Sequence, residues 1–463
     1  MVSTIGSAAQ LSFFVLLQLL TYCDRNVMAG LLPVAKDHFG LSGTQSGLLG
    51  SGFMGGFITV APFSAAMAAG VATDRMIRIV AAGILVWGVA VLAAGLAPTY
   101  ELLLLARIFT GVGEAAYCPL APVIVQESAP PGKSSIFVGI YFASVYVGLA
   151  IGFFLPSRFR IWEHGRLIFI GEACCAVPFI LFGALQAHRF HRVSDVSAQT
   201  GVSSSADRAE PAASELAGGS PVLSPVSLEG HSRCALSCAV LTSPRFFLLL
   251  LGCSSCIFTV YGFSFWSPSY MEEVLSAPRA SAGLYLSAET AVAGLVATVA
   301  GGVCLDSMRS GARASKYANV SRLAFYAALL CGPCFIVSVC VRTTQLFVLS
   351  LFIGLCVQFA LVAPVQIAMM ESVPPAFKSI AMGLSTTGTH VLGDLISPAL
   401  IGYIRDKSGS LVPGMWTLAI WICQAPVWLY LATRAPRFRS FLGPAPEQRR
   451  NESLGTSMMR ASV

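Results

Sequence analysis

Residues 11–33 read LSFFVLLQLLTYCDRNVMAGLLP, and this stretch decides what kind of protein the chain can form. An apolar run of about 20 residues is long enough to cross a bilayer as a helix. Asp24 and Arg25 lie inside the run, where a charge near the bilayer centre costs at least about 2.5–3.5 kcal/mol. Such charges tend to face a protein interior and to mark ion or substrate paths. The run therefore predicts a membrane transporter.

The rest of the chain repeats this apolar pattern. Of its 463 residues, 55% are hydrophobic and only 11% are Asp, Glu, Lys or Arg, which is far from ordinary globular composition. The apolar runs are near-continuous rather than alternating, which favours helices over strands. We therefore predict an all-α membrane protein with twelve transmembrane helices in two pseudo-symmetric six-helix bundles. The predicted spans are 11–33, 47–71, 78–98, 102–126, 134–156, 166–187, 244–268, 280–305, 318–341, 343–370, 377–403 and 411–433.

One polar segment divides the chain. Residues 188–243 are rich in Ser, Ala, Gly and Pro and contain few aromatic residues, a composition typical of a flexible linker, although a short surface helix can form within it. The segment separates two sets of six spans. The predicted domains are an N-terminal six-helix bundle over 1–187, a cytosolic linker over 188–243, a C-terminal six-helix bundle over 244–434 and a cytosolic tail over 435–463.

The basic residues predict the orientation of the chain. If the N-terminus lies inside, the loops and flanks on that side carry 19 of the 29 Lys and Arg residues, and the opposite side carries 8. This bias predicts that both termini face the cytosol. It also explains the net charge of +7 without nucleic-acid binding. No basic region and no cleavage motif flank the first apolar run, so we expect it to be a span and not a signal peptide.

The two halves of the chain repeat the same loop motifs. Residues 70–78 read GVATDRMIR after the second span, and residues 302–309 read GVCLDSMR after the eighth. Residues 127–134 read ESAPPGKS after the fourth span, and residues 371–379 read ESVPPAFKS after the tenth. A duplicated six-span unit explains both matches, and internal repeats are typical of secondary transporters.

The first of these motifs resembles the signature of the major facilitator superfamily. The resemblance implies a fold of two six-helix halves that rock about a central site. The loop charges would form a gating brace that breaks and re-forms during this motion. Ser307 and Ile77 depart from the pattern. The brace residues are predicted to be Gly70, Asp74, Arg75, Arg78 and Asp306.

Helix depth brings two of the buried charges together. At 1.5 Å per residue, Asp24 in the first span and Arg107 in the fourth lie at similar depth. Glu114 follows Arg107 by seven residues, two turns deeper on the same helix face. We expect Asp24 to contact Arg107 and to stay charged, with Glu114 as a separate carboxylate that titrates. Arg25 points about 100° away from Asp24, and bracing of the helix packing is its alternative role. The predicted proton-coupling and substrate residues are Asp24, Arg25, Arg107, Glu114, His390 and Asp394.

Other ionisable groups lie in later spans. His390 and Asp394 are four residues apart on one helix face and are expected to interact. Glu289 stands isolated in the eighth span, and Glu172, near the end of the sixth, is expected to reach the membrane interface. The sequence contains no nucleophile–base set, metal-ligand cluster or cofactor motif, so we predict no enzyme activity, no metal and no cofactor.

Several of these segments resemble the Spinster family of transporters. The similar strings begin at Tyr22 (YCDR, leading to AGLLP), 107 (RIFTGVGEAAY), 265 (FWSP) and 390 (HVLGDLISP). The resemblance implies transport of lysophospholipids or phosphorylated sphingoid bases, often coupled to protons. It implies coupling and headgroup contact at Asp24, Arg107, Glu114 and His390. The expected partners are the bilayer, an amphiphilic substrate and protons, for a monomer in a lysosomal, late endosomal or plasma membrane.

Two other functions fit the same residues. A transporter of this fold can carry a small polar or drug-like solute, because apolar walls with a few buried charges suit many ligands. A non-transporting sensor or scaffold would use the linker over 188–243 as its signalling element. The nature of the cargo is therefore a weaker prediction than the place of the charges.

Overall fold

The computed structural model describes residues 7–68, 73–130, 133–200, 233–309, 316–374, 377–436 and 438. Within these ranges every regular element is helical, as the near-continuous apolar runs predict. The helices of the first half, together with a 3-10 turn at Pro156–Arg158, are α1 Ser7–Phe39, α2 Gly43–Ala68, α3 Thr73–Leu96, α4 Tyr100–Tyr117, α5 Ala121–Ser128, α6 Ser134–Phe154, α7 Trp162–Gly165 and α8 Leu167–Thr200.

The second half contains the remaining helices, and together the two halves cover all twelve predicted spans. Nine spans correspond to single helices, and the other three correspond to the helix pairs α4–α5, α14–α15 and α16–α17. The helices of the second half are α9 Arg233–Leu241, α10 Pro244–Glu273, α11 Arg279–Arg309, α12 Lys316–Cys340, α13 Thr344–Glu371, α14 Lys378–Leu392, α15 Ser397–Ser408, α16 Val412–Trp421 and α17 Gln424–Arg434.

Nine stretches of the described residues are long and apolar enough to cross a membrane. Neither α1 nor the α14–α15 pair belongs to that set, although both lie among the other helices. Asp24 and Arg25 lie in α1, and His390 lies in α14. Buried polar groups therefore lie in two segments that hydropathy alone does not identify as spans.

Three of the predicted continuous spans are broken in the structure, and the break in 411–433 is the short step between α16 and α17. The span 102–126 is interrupted between α4 and α5 at residues 118–120, where Pro119 has no N–H to continue the helix. The span 377–403 is interrupted between α14 and α15 around Gly393, and the amide of Leu395 there donates to the carbonyl of His390 at 3.0 Å. Discontinuous helices near the middle of the membrane are typical of transporter binding sites.

The predicted linker is helical at both ends. Helix α8 continues to Thr200, and α9 covers Arg233–Leu241. Leu236 and Val240, four residues apart on α9, are buried where α9 packs on α10 and α14. This face attaches α9 to the second half, so the flexible segment predicted over 188–243 does not extend over its whole range; residues 201–232 lie outside the described part of the chain.

The packing of the second half repeats that of the first. In the first half α4 packs on α2 and α3, and α8 packs on α3; in the second, α13 packs on α11 and α12, and α17 packs on α12. Between the halves, α2 packs on α15 and α6 packs on α11, which are equivalent pairs in the two repeats. The motif repeat in the sequence therefore corresponds to a repeat in packing, although the predicted domain boundaries remain a prediction.

Candidate functional site

Asp24 and Arg107 form a buried ion pair between α1 and α4. The Nη1 atom of Arg107 donates to both carboxylate oxygens of Asp24, at 2.8 and 2.9 Å. The two residues are 0% and 2% exposed. The contact predicted from helix depth is confirmed. Because the charges compensate each other, neither is left unpaired away from water.

Glu114 does not stand apart from the other charges, and this corrects the sequence-based prediction. Arg25 donates from Nε to Oε1 of Glu114 at 2.8 Å and forms a second hydrogen bond from Nη2 to the same oxygen. Arg25, a member of the predicted coupling set for which bracing of packing is the alternative role, pairs directly with this carboxylate. The 100° between neighbouring residues of α1 still leaves both within reach of α4, because an Arg side chain is long and flexible. The four residues form two parallel ion pairs.

Aromatic rings surround the two guanidinium groups. The Phe53 ring centre lies 5.1 Å from the Arg107 guanidinium carbon and 5.2 Å from that of Arg25. The Tyr22 ring lies 4.4 Å from the Arg25 carbon and the Phe57 ring 5.3 Å. Cations at these distances are attracted to ring faces, and more strongly where water is absent. Phe53 therefore links the two ion pairs into one cluster.

Close packing of α2 on α4 brings Phe53 to this position. A Cβ atom on Gly56 would overlap the carbonyl oxygen of Ile108, and one on Gly111 would overlap that of Phe53. Small residues at such contacts let helix backbones approach closely in membranes. Sequence reasoning missed Phe53 and Phe57; the glycines at 56 and 111 were the available signal, but they did not identify their partners.

The second half contributes a smaller polar pair. His390 Nδ1 and Asp394 Oδ2 are 2.8 Å apart, so the predicted interaction is confirmed. Asp394 lies in the break between α14 and α15 and is buried. The His390 ring meets the Phe57 ring edge-on at 5.5 Å between centres. Phe57 therefore lies between this pair and Arg25, and connects the polar groups of the two halves.

Glu172 in α8 is buried. The prediction that this carboxylate reaches the membrane interface is therefore wrong. The Glu172 side chain lies beside the Cys23 thiol of α1, in electrostatic range of Asp24 and Arg107. Neither carboxylate oxygen has a well-formed hydrogen bond within the described residues. The packing of α8 on α1 turns this residue inward, and its position near the helix end did not reveal that.

Some buried polar atoms of the cluster have no hydrogen-bond partner among the described residues. They are Glu114 Oε2, Arg107 Nε and Asp394 Oδ1. Buried polar atoms are nearly always satisfied in folded proteins, and exceptions call for a ligand, a water molecule or a proton. The described residues include no group of three or more His, Cys, Asp or Glu side chains placed to hold a metal ion. Proton transfer and polar ligand contact are the chemistry that remains.

The predicted brace falls largely outside what the structure describes. Gly70 lies outside the described residues, as do the side chains of Asp74, Arg75 and Asp306, whose backbones belong to α3 and α11. Arg78 is exposed on α3. Whether these residues act as a brace stays a prediction.

Charged contacts join the two halves at the opposite end of the bundle. Glu273 of α10 accepts from Lys36 of α1 at 3.1 Å and from Arg405 of α15 at 2.9 Å. Asp406 of α15 accepts from the backbone amides of Gly43 and Thr44 at the start of α2. We call these residues, Lys36, Glu273, Arg405 and Asp406 with the amides of Gly43 and Thr44, the Glu273 layer.

Asp406 caps a helix of the other half. Burial raises the pKa of its carboxyl, but hydrogen bonds from Thr44 and Gly43 outweigh burial, so that the pKa lies below its ordinary value. A carboxylate at a helix N-terminus also interacts favourably with the helix dipole. The cap is therefore strongest while Asp406 is ionised.

Comparison with known proteins identifies the family. The model described as "Major Facilitator Superfamily" matches residues 14–398. This chain belongs to the major facilitator superfamily, a class of membrane transporters and not of enzymes. The predicted fold is therefore confirmed.

Relatives within this class carry the Spinster name. "Probable sphingolipid transporter spinster homolog 3" of Arabidopsis thaliana is 25% identical over 446 residues, covering 88% of this chain and 81% of the relative. "Protein spinster homolog 1" of Homo sapiens is 26% identical over 421 residues, covering 84% of this chain and 71% of the relative. These similarities agree with the resemblance found in the sequence.

A solved structure shares the fold. The crystal structure of a bacterial homolog to human lysosomal transporter, Spinster, in an inward-facing and unoccupied conformation, matches with a TM-score of 0.71. It is 18% identical, and the match covers 93% of this chain and 98% of that chain. The similarity supports the twelve-helix architecture.

Proposed function

We propose that this protein is a proton-linked secondary transporter that moves lysophospholipid or sphingoid-phosphate amphiphiles by alternating access. The observation that carries the proposal is the buried cluster in which Glu114 holds Arg25 and has one carboxylate oxygen without a hydrogen-bond partner among the described residues. The names of the relatives support a sphingolipid-related cargo. Apolar surroundings with two buried guanidinium groups suit an amphiphile with an anionic headgroup.

Competition for Arg25 would couple the proton to the substrate. Protonation of Glu114 would remove the negative charge that holds the guanidinium. Arg25 would then be free to donate to a phosphate, whose geometry matches the guanidinium fork. Loss of the proton would restore the ion pair and expel the phosphate. Arg107 would contribute to the local field while remaining paired with Asp24.

The Glu273 layer would act as one gate of the alternating-access cycle. With both termini in the cytosol, this layer would lie on the outer side and would close the outer path while the site is open to the cytosol. The Lys36–Glu273 ion pair and the Asp406 cap cross between the halves and would break when the halves rock. We expect a monomer with N- and C-termini in the cytosol, in a lysosomal, late endosomal or plasma membrane.

Transport of labelled lipid in proteoliposomes tests the proposal. Labelled lysophosphatidylcholine and sphingosine 1-phosphate would be assayed with and without a pH gradient, for the wild type and for Glu114→Gln. We expect the gradient to accelerate wild-type flux and to leave the variant unaffected. Glu101→Gln, which changes an exposed carboxylate on the same helix, is the matched control.

Three results would contradict the proposal. Equal response of the wild type and Glu114→Gln to every gradient would remove Glu114 from coupling. Absence of lipid flux and of lipid competition, with transport of a small polar or drug-like solute, would change the cargo. If no solute moves and deletion of 195–235 abolishes the cellular activity, a sensor or scaffold would be the better description.

A further inference from the structure

A second polar position lies in the other half, away from the ion-pair cluster. Helices α11 and α13 enclose a groove of about 360 Å³ that is lined mainly by apolar side chains. Val292 and Leu349 on its walls are about half exposed, so the groove opens on the outer surface of the helix bundle. In a chain that spans a membrane, this surface faces lipid. A volume of this size suits a small organic ligand.

Glu289 lines the groove and is the only acidic residue there among the described residues. It is 5% exposed, and its Oε2 atom has no hydrogen-bond partner in the described part of the chain. No Lys, Arg or His of the described residues forms an ion pair with it. Asp24, Glu114 and Asp394 each have a basic partner within the protein, and the buried Glu172 lies in electrostatic range of Arg107. Glu289 has no such cation among the described residues, and an unpaired carboxylate in a membrane is costly, so a cationic group from the surroundings would stabilise its charged form.

Most of the groove lining is aliphatic or aromatic. Its polar members are Glu289 and Gln345, which lies in the first turn of α13. Glu289 is ten residues from Arg279, the first residue of α11, or roughly 15 Å along the helix. Leu349 and Phe352 line the groove beside it. A single hydrocarbon chain could lie against these apolar residues while a headgroup reaches the carboxylate.

We propose that this groove is a membrane-facing binding site for a single-chain amphiphile with an ammonium headgroup. The positive headgroup pairs with Glu289, and the hydrocarbon chain lies between α11 and α13. The Phe352 and Tyr285 rings of the groove supply faces that attract an ammonium group as well. The site does not depend on the proposed transport cycle, since none of its residues belongs to the ion-pair cluster.

Photolabelling of the full-length protein tests this site. A 12-carbon alkylamine with a photoreactive chain would be applied in neutral detergent, and labelled peptides would be mapped. We expect labelling within 279–309 and 344–371. Dodecyltrimethylammonium should compete and dodecanol should not. Glu289→Gln keeps the shape but removes the charge, and should lower the affinity for both cationic amphiphiles about tenfold.

Control variants separate a charge effect from a folding effect. Glu101→Gln removes an exposed carboxylate of the first half and should leave the affinity for alkylamine unchanged. If Glu289→Gln does not fold, Leu349→Trp offers an independent test, because the larger side chain fills the groove without touching the charge. It should abolish labelling at the two peptides.

Charged and neutral probes of equal chain length distinguish a binding site for an ammonium group from an ordinary lipid contact. Equal labelling by the alkylamine and by a neutral alcohol probe of the same chain length would show an apolar lipid contact and overturn it. Unchanged affinity in Glu289→Gln would also overturn it, as would labelling that persists in Leu349→Trp. If the wild type binds alkylamine in this groove but transports no lipid in proteoliposomes, only the function proposed above is contradicted.

Discussion

The two halves of this transporter share a packing plan but hold different buried charges. The first half contains Asp24, Arg25, Arg107 and Glu114, joined as two ion pairs around Phe53, and the buried Glu172 in electrostatic range of Asp24 and Arg107. The second half contains the His390–Asp394 pair and Glu289, which has no ion pair among the described residues. Within the described spans of the second half, no buried arginine takes part in a comparable pair.

The two halves therefore differ in whether their buried cations can lose their charge. Arginine remains charged at every accessible pH, so the first half always presents two cations to its carboxylates. Histidine and carboxyl groups gain or lose charge with protons or ligands. A duplicated fold thus provides one half with two permanent cations and another half without a buried arginine pair among its described residues. The following predictions test that comparison.

The largest effect is expected from the deepest pair. Arg107→Ala should lower the free energy of unfolding by about 3–5 kcal/mol, because Asp24 is left buried without compensation. Thermal or denaturant unfolding in detergent measures the change. The double variant Asp24→Asn with Arg107→Ala should recover most of the loss. If the double variant does not recover stability, the loss in Arg107→Ala comes from the packing of the arginine side chain and not from the ion pair.

A moderate effect is expected at the second pair of the first half. Arg25→Lys keeps the charge but loses the fork that donates from Nε and Nη2 to Glu114. We expect a cost of about 1–2 kcal/mol in stability and a KM for a phosphate-bearing lipid raised about tenfold. Arg158→Lys, at an exposed arginine that also contacts an aromatic ring, is the matched control. An unchanged KM would exclude Arg25 from headgroup contact.

A smaller effect is expected in the second half. His390→Gln removes the imidazole ring but retains a hydrogen-bond donor next to Asp394. Stability should change by about 1 kcal/mol or less, because His390 is partly exposed and its partner keeps a polar neighbour. Thermal unfolding in detergent measures the change. A cost equal to that of Arg107→Ala would abolish the contrast between the halves.

The smallest effect is expected in the Glu273 layer. The pKa of Asp406 lies below its ordinary value, so its contribution is present at neutral pH and is lost only as the pH falls through that lowered pKa. Acidification from pH 7 to 5 should therefore leave the cap intact. Asp406→Asn should weaken it by only about 0.5 kcal/mol, because Asn is itself a favourable N-cap residue.

Hydrogen exchange at the start of α2 measures this cap. The amides of Gly43 and Thr44 should exchange a few times faster in Asp406→Asn and at the same rate at pH 7 and 5 after correction for intrinsic exchange. Thr99→Ala, at the N-cap of α4 within the first half, is a control that should leave those two amides unchanged. Opening of the wild type at pH 5 would show that another group of the layer responds to acid.

Sequence reasoning succeeded where the outcome depended on one helix at a time. The depth of Asp24 and Arg107 followed from a fixed rise per residue, and the His390–Asp394 pair followed from a spacing of four. It failed for Glu114 and Glu172. The partner of the first depended on how α1 is rotated against α4, and the burial of the second depended on which face of α8 meets α1.

The sequence by itself determined the class, the twelve membrane crossings and the residues that carry buried charge, because hydropathy and helical periodicity are local properties of the chain. Only the tertiary structure decided that Arg25 pairs with Glu114, that Phe53 joins the two arginines, and that Glu289 faces a groove without a basic partner. These contacts join helices that are distant in sequence. Their geometry is set by the packing of whole helices, which no single span encodes.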